Sequence, residues 1–151
     1  MADEDFRVAQ LALQGYRCSH ILVQIGLDAQ GKTNPDLLGA MSGLAGGLGC
    51  GLNCGALAGG CCLIGMYAGM DGDRRNDHPS LPLMLEEFVD WFRDEYTPRY
   101  GGIDCAQIVQ RNPQLRGERC PSLIREAVRK ATEILQEHGF ELDGRSGAEQ
   151  G

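Results

Sequence analysis

The chain has no Cys-x-x-Cys pair, no Cys-x-x-Cys-His and no His-Glu-x-x-His. The first absence speaks against a zinc ribbon, whose ligands come as two closely spaced pairs. The second excludes covalently attached haem, and the third a helical zinc protease site. No Ser-His-Asp arrangement is suggested either, so hydrolytic activity is not expected. Basic charge is also sparse. Against 21 acidic residues stand 14 Lys and Arg, scattered except at Arg74-Arg75 and from Arg125 to Lys130, for a net charge of -7. Nucleic-acid binding needs clustered cations and is not expected. No segment alternates apolar and polar residues between turns, so no sheet is expected.

Glycine and cysteine are abundant instead, at 22 and 7 of 151 residues. The opening Met1 to Asp5 is acidic with no apolar run after it, which does not read as an export signal. The expectation is a cytoplasmic, reducing setting, where cysteines more often bind metal or do redox chemistry than form structural disulfides. Apolar content of 42% suits a globular fold of one core. Residues 1–140 are expected to form one helical, cysteine-rich domain, with 141–151 a flexible polar tail.

Apolar residues at three- and four-residue spacing predict a helix over 5–27, with Gly15 marking close packing or a break. Asn34-Pro35 opens the next helix, since Asn caps and Pro at N1 loses nothing. From Leu37 to Met70 no residue is charged, yet eleven glycines lie inside the stretch. A buried helix pair broken near Gly46 to Gly51 fits this better than a membrane span. Gly47, Gly51, Gly55 and Gly59 would then form one smooth helical stripe for close packing. This stretch holds no Walker Lys-Ser/Thr pair and follows no strand, so nucleotide binding is not expected. Residues 83–97 are amphipathic, with Leu85, Phe88, Val89, Phe92 and Tyr96 on one face and Pro98 as terminator. Asp104 can cap a short helix from Cys105 to Gln110, after which Asn112-Pro113 and Gly117 make a loop. Pro121 opens a last helix that Gly139 ends in a left-handed cap. The expected fold is all-α, a single-domain bundle of five to six helices with a Gly-rich buried central helix.

Cys105 and Cys120 fall where helices are expected to begin, where the free N–H groups and helix dipole lower a thiol pKa. Asp104 offsets this at Cys105, and Arg119 reinforces it at Cys120. Cys50, Cys54 and Cys61 would share a face if one helix ran through them, with Cys62 a quarter-turn away. That set could hold Cu(I) or Zn²⁺, while at least one of Cys61 and Cys62 suits plain core packing. His20 lies two residues from Cys18 and points elsewhere on a helix, as a packed or surface histidine. His78 and His138 carry no catalytic pattern.

Cys54-Gly55-Ala56-Leu57-Ala58-Gly59 matches the CGAxxG core of the redox-active C_GCAxxG_C_C family, which the chain resembles over roughly residues 6–138. The glycine-rich approach, the following Leu-Ile-Gly-Met-Tyr-Ala-Gly and Cys105-Ala-Gln-Ile-Val agree with it. The family's remaining cysteines correspond to Cys18, Cys105 and Cys120. The resemblance thus implies a redox site of Cys18, Cys54, Cys105 and Cys120 brought together from separate helices. Four thiolates suffice for a [2Fe–2S] or [4Fe–4S] cluster. They could equally work as two dithiol/disulfide pairs, with Cys105 or Cys120 attacking and Cys54 or Cys18 resolving. The cluster is preferred, because the four come from remote positions like a ligand set. An electron carrier of this kind needs a redox partner protein. The rival readings are a Cu(I)- or Zn-holding bundle using Cys50, Cys54, Cys61 and Cys62, and a homo-oligomer or subunit docked on a larger redox complex.

Overall fold

A computed structural model describes residues 2–143, and every regular element among them is helical. The helices are α1 (Ala2–Leu13), α2 (Cys18–Gln30), α3 (Pro35–Met41), α4 (Gly55–Ala68), α5 (Leu81–Tyr100), α6 (Cys105–Val109) and α7 (Pro113–Glu137). A wide turn, Gly47–Gly51, joins α3 to α4. The all-α bundle is as expected, with slightly more helices than five or six. Of the expected tail, residues 144–151 lie outside the described residues.

The extra helix comes from Gly15. Its φ of +94° stops α1, and the N–H of Tyr16 turns back to the Leu11 carbonyl at 3.1 Å. The chain then restarts at Cys18, so of the two readings of Gly15 the break is the one that holds, and the helical stretch is two helices. Gly26 does not end the second of them. It sits inside α2 against Leu63, and the stop is Gly31 in the left-handed region. Asn34 caps α3 as expected, its side-chain oxygen accepting from the Leu37 N–H at 3.0 Å.

α4 is the glycine-rich central helix, packed against α2, α5 and α7. Two adjacent glycines open two of its sides. A Cβ on Gly59 would press on Ser19 and Leu22 of α2 at about 3.1 Å, and one on Gly60 would overlap the Phe88 ring of α5. The four-glycine stripe itself does not form. Gly47 and Gly51 lie in the wide turn with positive φ, and only Gly55 and Gly59 belong to α4. Against this helix α5 sets Met84, Phe88, Phe92 and Tyr96, all fully buried. Consecutive aromatics meet edge-on or tilted, with Phe92 and Tyr96 centroids 4.7 Å apart.

Neither proline acts as expected. Pro98 lies inside α5, which runs to Tyr100 and stops at Gly101 with φ +85°. Pro121 lies inside α7, which starts eight residues earlier. A helical proline leaves the carbonyl four residues back without its bond. Here those carbonyls belong to Asp94 and Gly117, both exposed residues that water can reach. The true start of α7 is Asn112-Pro113, with the Asn112 side chain accepting from the Gln114 N–H at 2.9 Å. Gly139 ends α7 with φ +88°. The N–H groups of Gly139 and Phe140 bond to Gln136 and Leu135, and Phe140 is buried behind them.

Candidate functional site

Three of the four cysteines named by the family resemblance sit at helix starts. Cys18 is the first residue of α2, Cys54 caps α4, and Cys105 is the first residue of α6. Cys120 is the exception. It lies in the body of α7, not at a helix start, because the helix begins at Pro113.

Two of these starts are tied together by backbone. Asn53 and Asp104 form an isolated antiparallel bridge. Around it the Cys105 N–H donates to the Leu52 carbonyl at 2.7 Å, and the Cys54 N–H to the Ile103 carbonyl at 3.2 Å. On the α6 side the Gln107 side chain reaches back and accepts from the Asp104 N–H at 3.1 Å. Cys18 approaches from α2, and Gly55 is what lets it in: a Cβ at that position would overlap the Cys18 sulfur. The start of α2 is held by His20, whose Nδ1 accepts from the Arg17 N–H at 3.1 Å. Its Nε2 faces the Ser42 hydroxyl at 2.8 Å, and Ser19 donates to the Met41 carbonyl at 2.7 Å. His20 is therefore a helix cap, and burial followed by the Arg17 charge holds its pKa below the usual value.

The four thiols act on one another electrostatically. Charge on Cys18 raises the pKa of Cys54, Cys105 and Cys120, charge on Cys120 raises that of Cys54, and charge on Cys105 raises that of Cys120. Burial is nevertheless the larger cause at all three. It pushes Cys54, only 6% exposed, to about 12 and Cys120 to about 11, and it lifts Cys105 above its ordinary value. The N–H groups of Ala56 and Leu57 favour the Cys54 thiolate but do not offset its burial. The expectation of lowered pKa values at Cys105 and Cys120 is thus overturned. At Cys120 the helix start is missing, and at Cys105 desolvation exceeds what a one-turn helix supplies.

The cation of the site was also misplaced. Arg119 turns away, donating to the Ile108 carbonyl at 2.8 Å and lying 4.7 Å over the Tyr100 ring. Arg116 is the residue whose charge favours the thiolates of Cys105 and Cys120. With α7 started at Asn112-Pro113, Arg116 stands one turn before Cys120, so the helix-start signal would have found it.

The other three cysteines do not join this group as one helix face. Cys50 is on the wide turn and exposed, outside the helix that carries Cys54 and Cys61. Cys61 and Cys62 lie seven and eight residues along α4, about 10 Å from its start at 1.5 Å per residue. The shared face proposed for Cys50, Cys54 and Cys61 is thus absent. Cys61 packs against the core and burial lifts it to about 11. Burial raises Cys62 as well. Among the described residues no group of three or more His, Cys, Asp or Glu is arranged around a single metal ion, and all seven cysteines are free.

Cys50 does share a cavity of about 390 Å³ with Cys105, lined also by Arg111 and Arg116. One motif escaped the sequence reading. Gly26 to Thr33 spell the phosphate-loop string Gly-x-x-x-x-Gly-Lys-Thr. The structure makes it the last turns of α2 and the Gly31 stop, so it presents a helix C-terminus, not the N–H cradle that phosphate requires. No helix among the described residues is long and apolar enough to cross a membrane.

Comparison with known proteins adds one match. The family described as "Putative redox-active protein (C_GCAxxG_C_C)" matches residues 16–134, a span that contains all seven cysteines. No curated protein and no solved structure matches the chain.

Proposed function

The chain belongs to this redox-active family, and on that premise we propose that Cys18, Cys54, Cys105 and Cys120 form one electron-transfer site holding an iron–sulfur cluster. The observation that supports the reading is placement: Cys54 and Cys105 start helices tied by the 53–104 backbone bridge, the Cys18 sulfur packs on Gly55, and charge on Cys18 and Cys105 reaches Cys120 on α7. Four cysteine thiolates are a sufficient ligand set for a [2Fe–2S] or [4Fe–4S] centre, which when bound would take up and release single electrons.

The chemistry of the donors favours a cluster over thiol–disulfide exchange. Exchange requires a thiolate at the attacking sulfur, and burial raises the pKa of both candidates, Cys105 and Cys120, the latter to about 11. A metal centre replaces the thiol proton outright, so desolvation is no obstacle once iron is present. In this reading the Ala56 and Leu57 N–H groups stabilise charge on the Cys54 sulfur, and the Cys54–Cys105 backbone bridge fixes the separation of two ligands. A separate redox protein delivers and collects the electrons. Seven free thiols suit a reducing compartment such as the cytoplasm.

The test is anaerobic purification with iron, acid-labile sulfide and the visible spectrum measured on one sample. A broad visible absorbance that dithionite bleaches, with stoichiometric iron and sulfide lost in Cys54→Ser, is the expected result. Protein that stays colourless and iron-free after anaerobic reconstitution would overturn the cluster and leave thiol–disulfide exchange as the redox chemistry to examine.

A further inference from the structure

The cavity beside Cys105 has a chemistry that the four thiols do not account for. Its volume of about 390 Å³ falls within the range of small-molecule sites, roughly 300–1,000 Å³. Its walls are Gly46, Gly49, Cys50 and Gly51 of the wide turn on one side. Cys105, Ala106 and Val109 of α6, with Arg111 and Arg116, form the other. No carboxylate lines it. Like Arg17, Arg75 and Arg125, Arg111 and Arg116 make no ion pair with an acid among the described residues, but these two line one cleft. Two uncompensated guanidinium groups at one cleft are a site for oxyanions, which they bind in a planar, two-pronged fashion.

The walls are also held in a costly backbone. Leu48, Gln110 and Arg111 are the non-glycine residues with left-handed φ among those described, at 61°, 56° and 53°. Arg111 lines this cleft, while Leu48 lies in sequence between the lining Gly46 and Gly49, and Gln110 between the lining Val109 and Arg111. Such conformations persist where the surrounding structure enforces them, and they gather at binding and catalytic sites. At the floor, Gly51 lies so close that a Cβ on it would stand 3.1 Å from that of Ala106. The turn and α6 are therefore packed together, and the cleft is a formed cavity.

We propose that this cleft binds a small oxyanion-bearing molecule, a carboxylate, sulfur oxyanion or phosphate, between Arg111 and Arg116 and against Cys50 and Cys105. The modest volume of the cleft suits a small molecule better than a segment of a partner protein. The ligand's place as the substrate class of the redox site rests on the four-thiol reading; its binding does not.

Cys50 is exposed in the cleft and serves as the reporter. Full-length reduced protein is alkylated with iodoacetate or with neutral iodoacetamide, and modification is quantified on the Cys50 peptide by mass spectrometry. Inorganic sulfate is titrated against chloride at constant ionic strength. Sulfate should slow Cys50 modification saturably, and iodoacetate should prefer Cys50 over the neutral reagent. Arg116→Gln and Arg111→Gln should each raise the half-protecting sulfate concentration about tenfold, the loss of one charge-assisted hydrogen bond, and weaken the iodoacetate preference. Equal protection by chloride would overturn the proposal, as would unchanged behaviour of both arginine variants. Protection by polyglutamate but not by sulfate would overturn it in favour of a protein-docking surface. Cys54→Ser separates the two readings: it should lose iron and keep sulfate protection at Cys50. Iron absent from wild type with sulfate protection intact would sink the cluster alone.

Discussion

The seam where α5 meets α4 and α7 is held by side chains, whereas the cysteine corner is held by backbone. Along the seam Phe88, Phe92 and Tyr96 are fully buried, and the Tyr96 hydroxyl donates to Glu126 of α7. At the corner the contacts are an isolated bridge between 53 and 104, a run of left-handed residues from Gly46 to Gly49, and helix caps from His20 and Gln107. Apolar packing tolerates substitutions of similar shape. A corner made of backbone hydrogen bonds and glycines holds Cys18, Cys54 and Cys105 at their helix starts but has little packing of its own to spare. The seam carries stability, and the corner carries geometry.

The largest expected effect lies on the seam. Phe92→Ala removes a ring that is fully buried among Phe88, Trp91 and Tyr96, and should cost about 3–5 kcal/mol in urea unfolding. A loss of about 1 kcal/mol or less would mean that the seam can collapse around the gap, and the contrast with the corner would fail.

At the corner, two glycines of one helix sharpen the comparison. Gly55→Ala places a Cβ on the Cys18 sulfur, while Gly65→Ala meets nothing within 4 Å. The first should destabilise by about 1–3 kcal/mol through overpacking and displace Cys18. The second should stabilise by about 0.5–1 kcal/mol through helix propensity. Denaturation midpoints of the pair decide the matter. A Gly55→Ala protein as stable as Gly65→Ala, with unchanged Cys18 alkylation, would show that the approach of Cys18 to Gly55 is dispensable.

Much of the seam was legible in the sequence, because its helices follow ordinary periodicity. The face of Leu85, Phe88, Val89, Phe92 and Tyr96 is buried or half-buried as expected. The corner was less legible. Asn34-Pro35 and Asn112-Pro113 carry the same start signal, yet the second was read as loop because Gly117 and Pro121 follow it. That one misreading moved Cys120 to a helix end, lowered its expected pKa and hid Arg116. The cysteine spacing Cys50-x₃-Cys54 suggested a helix face, and only the positive φ values from Gly46 to Gly51 show that no helix runs there. Burial of the thiols could not be read from a local pattern, since it depends on how α2, α4, α6 and α7 meet.

The raised thiol pKa values yield a pH dependence for the metal-free protein. A buried thiol at about 12 in the folded chain, against 9.0 for an ordinary one, is neutral when folded and ionised when unfolded between those values. Its contribution to stability is fully present below pH 9 and is lost as pH rises toward 12. Cys120 and Cys61, each at about 11, act in the same direction. Urea midpoints should therefore fall between pH 8 and pH 10.5, about halfway up that window, and fall less steeply in Cys54→Ser. A wild-type midpoint that stays flat across the range would mean that water reaches the Cys54 sulfur and the corner is open.

The smallest effect should come from His20, whose titration acts at the other end of the pH scale. Its Nδ1 must be unprotonated to accept from the Arg17 N–H, and burial with the Arg17 charge lowers its folded pKa below the ordinary 6.5. The cap is therefore fully present above that ordinary value and is lost as pH falls through the lowered one. His20→Ala should cost about 1 kcal/mol at pH 7, as for other lost caps. The difference between variant and wild type should then shrink toward pH 5, where the wild-type imidazole also gives up its bond. Because α2 begins at Cys18, alkylation of Cys18 should quicken in the variant at pH 7 while Cys61 stays unchanged. Equal rates at Cys18 in both proteins would mean that the start of α2 is held by Ser19 and Met41 alone, and that the histidine cap does not position the thiol.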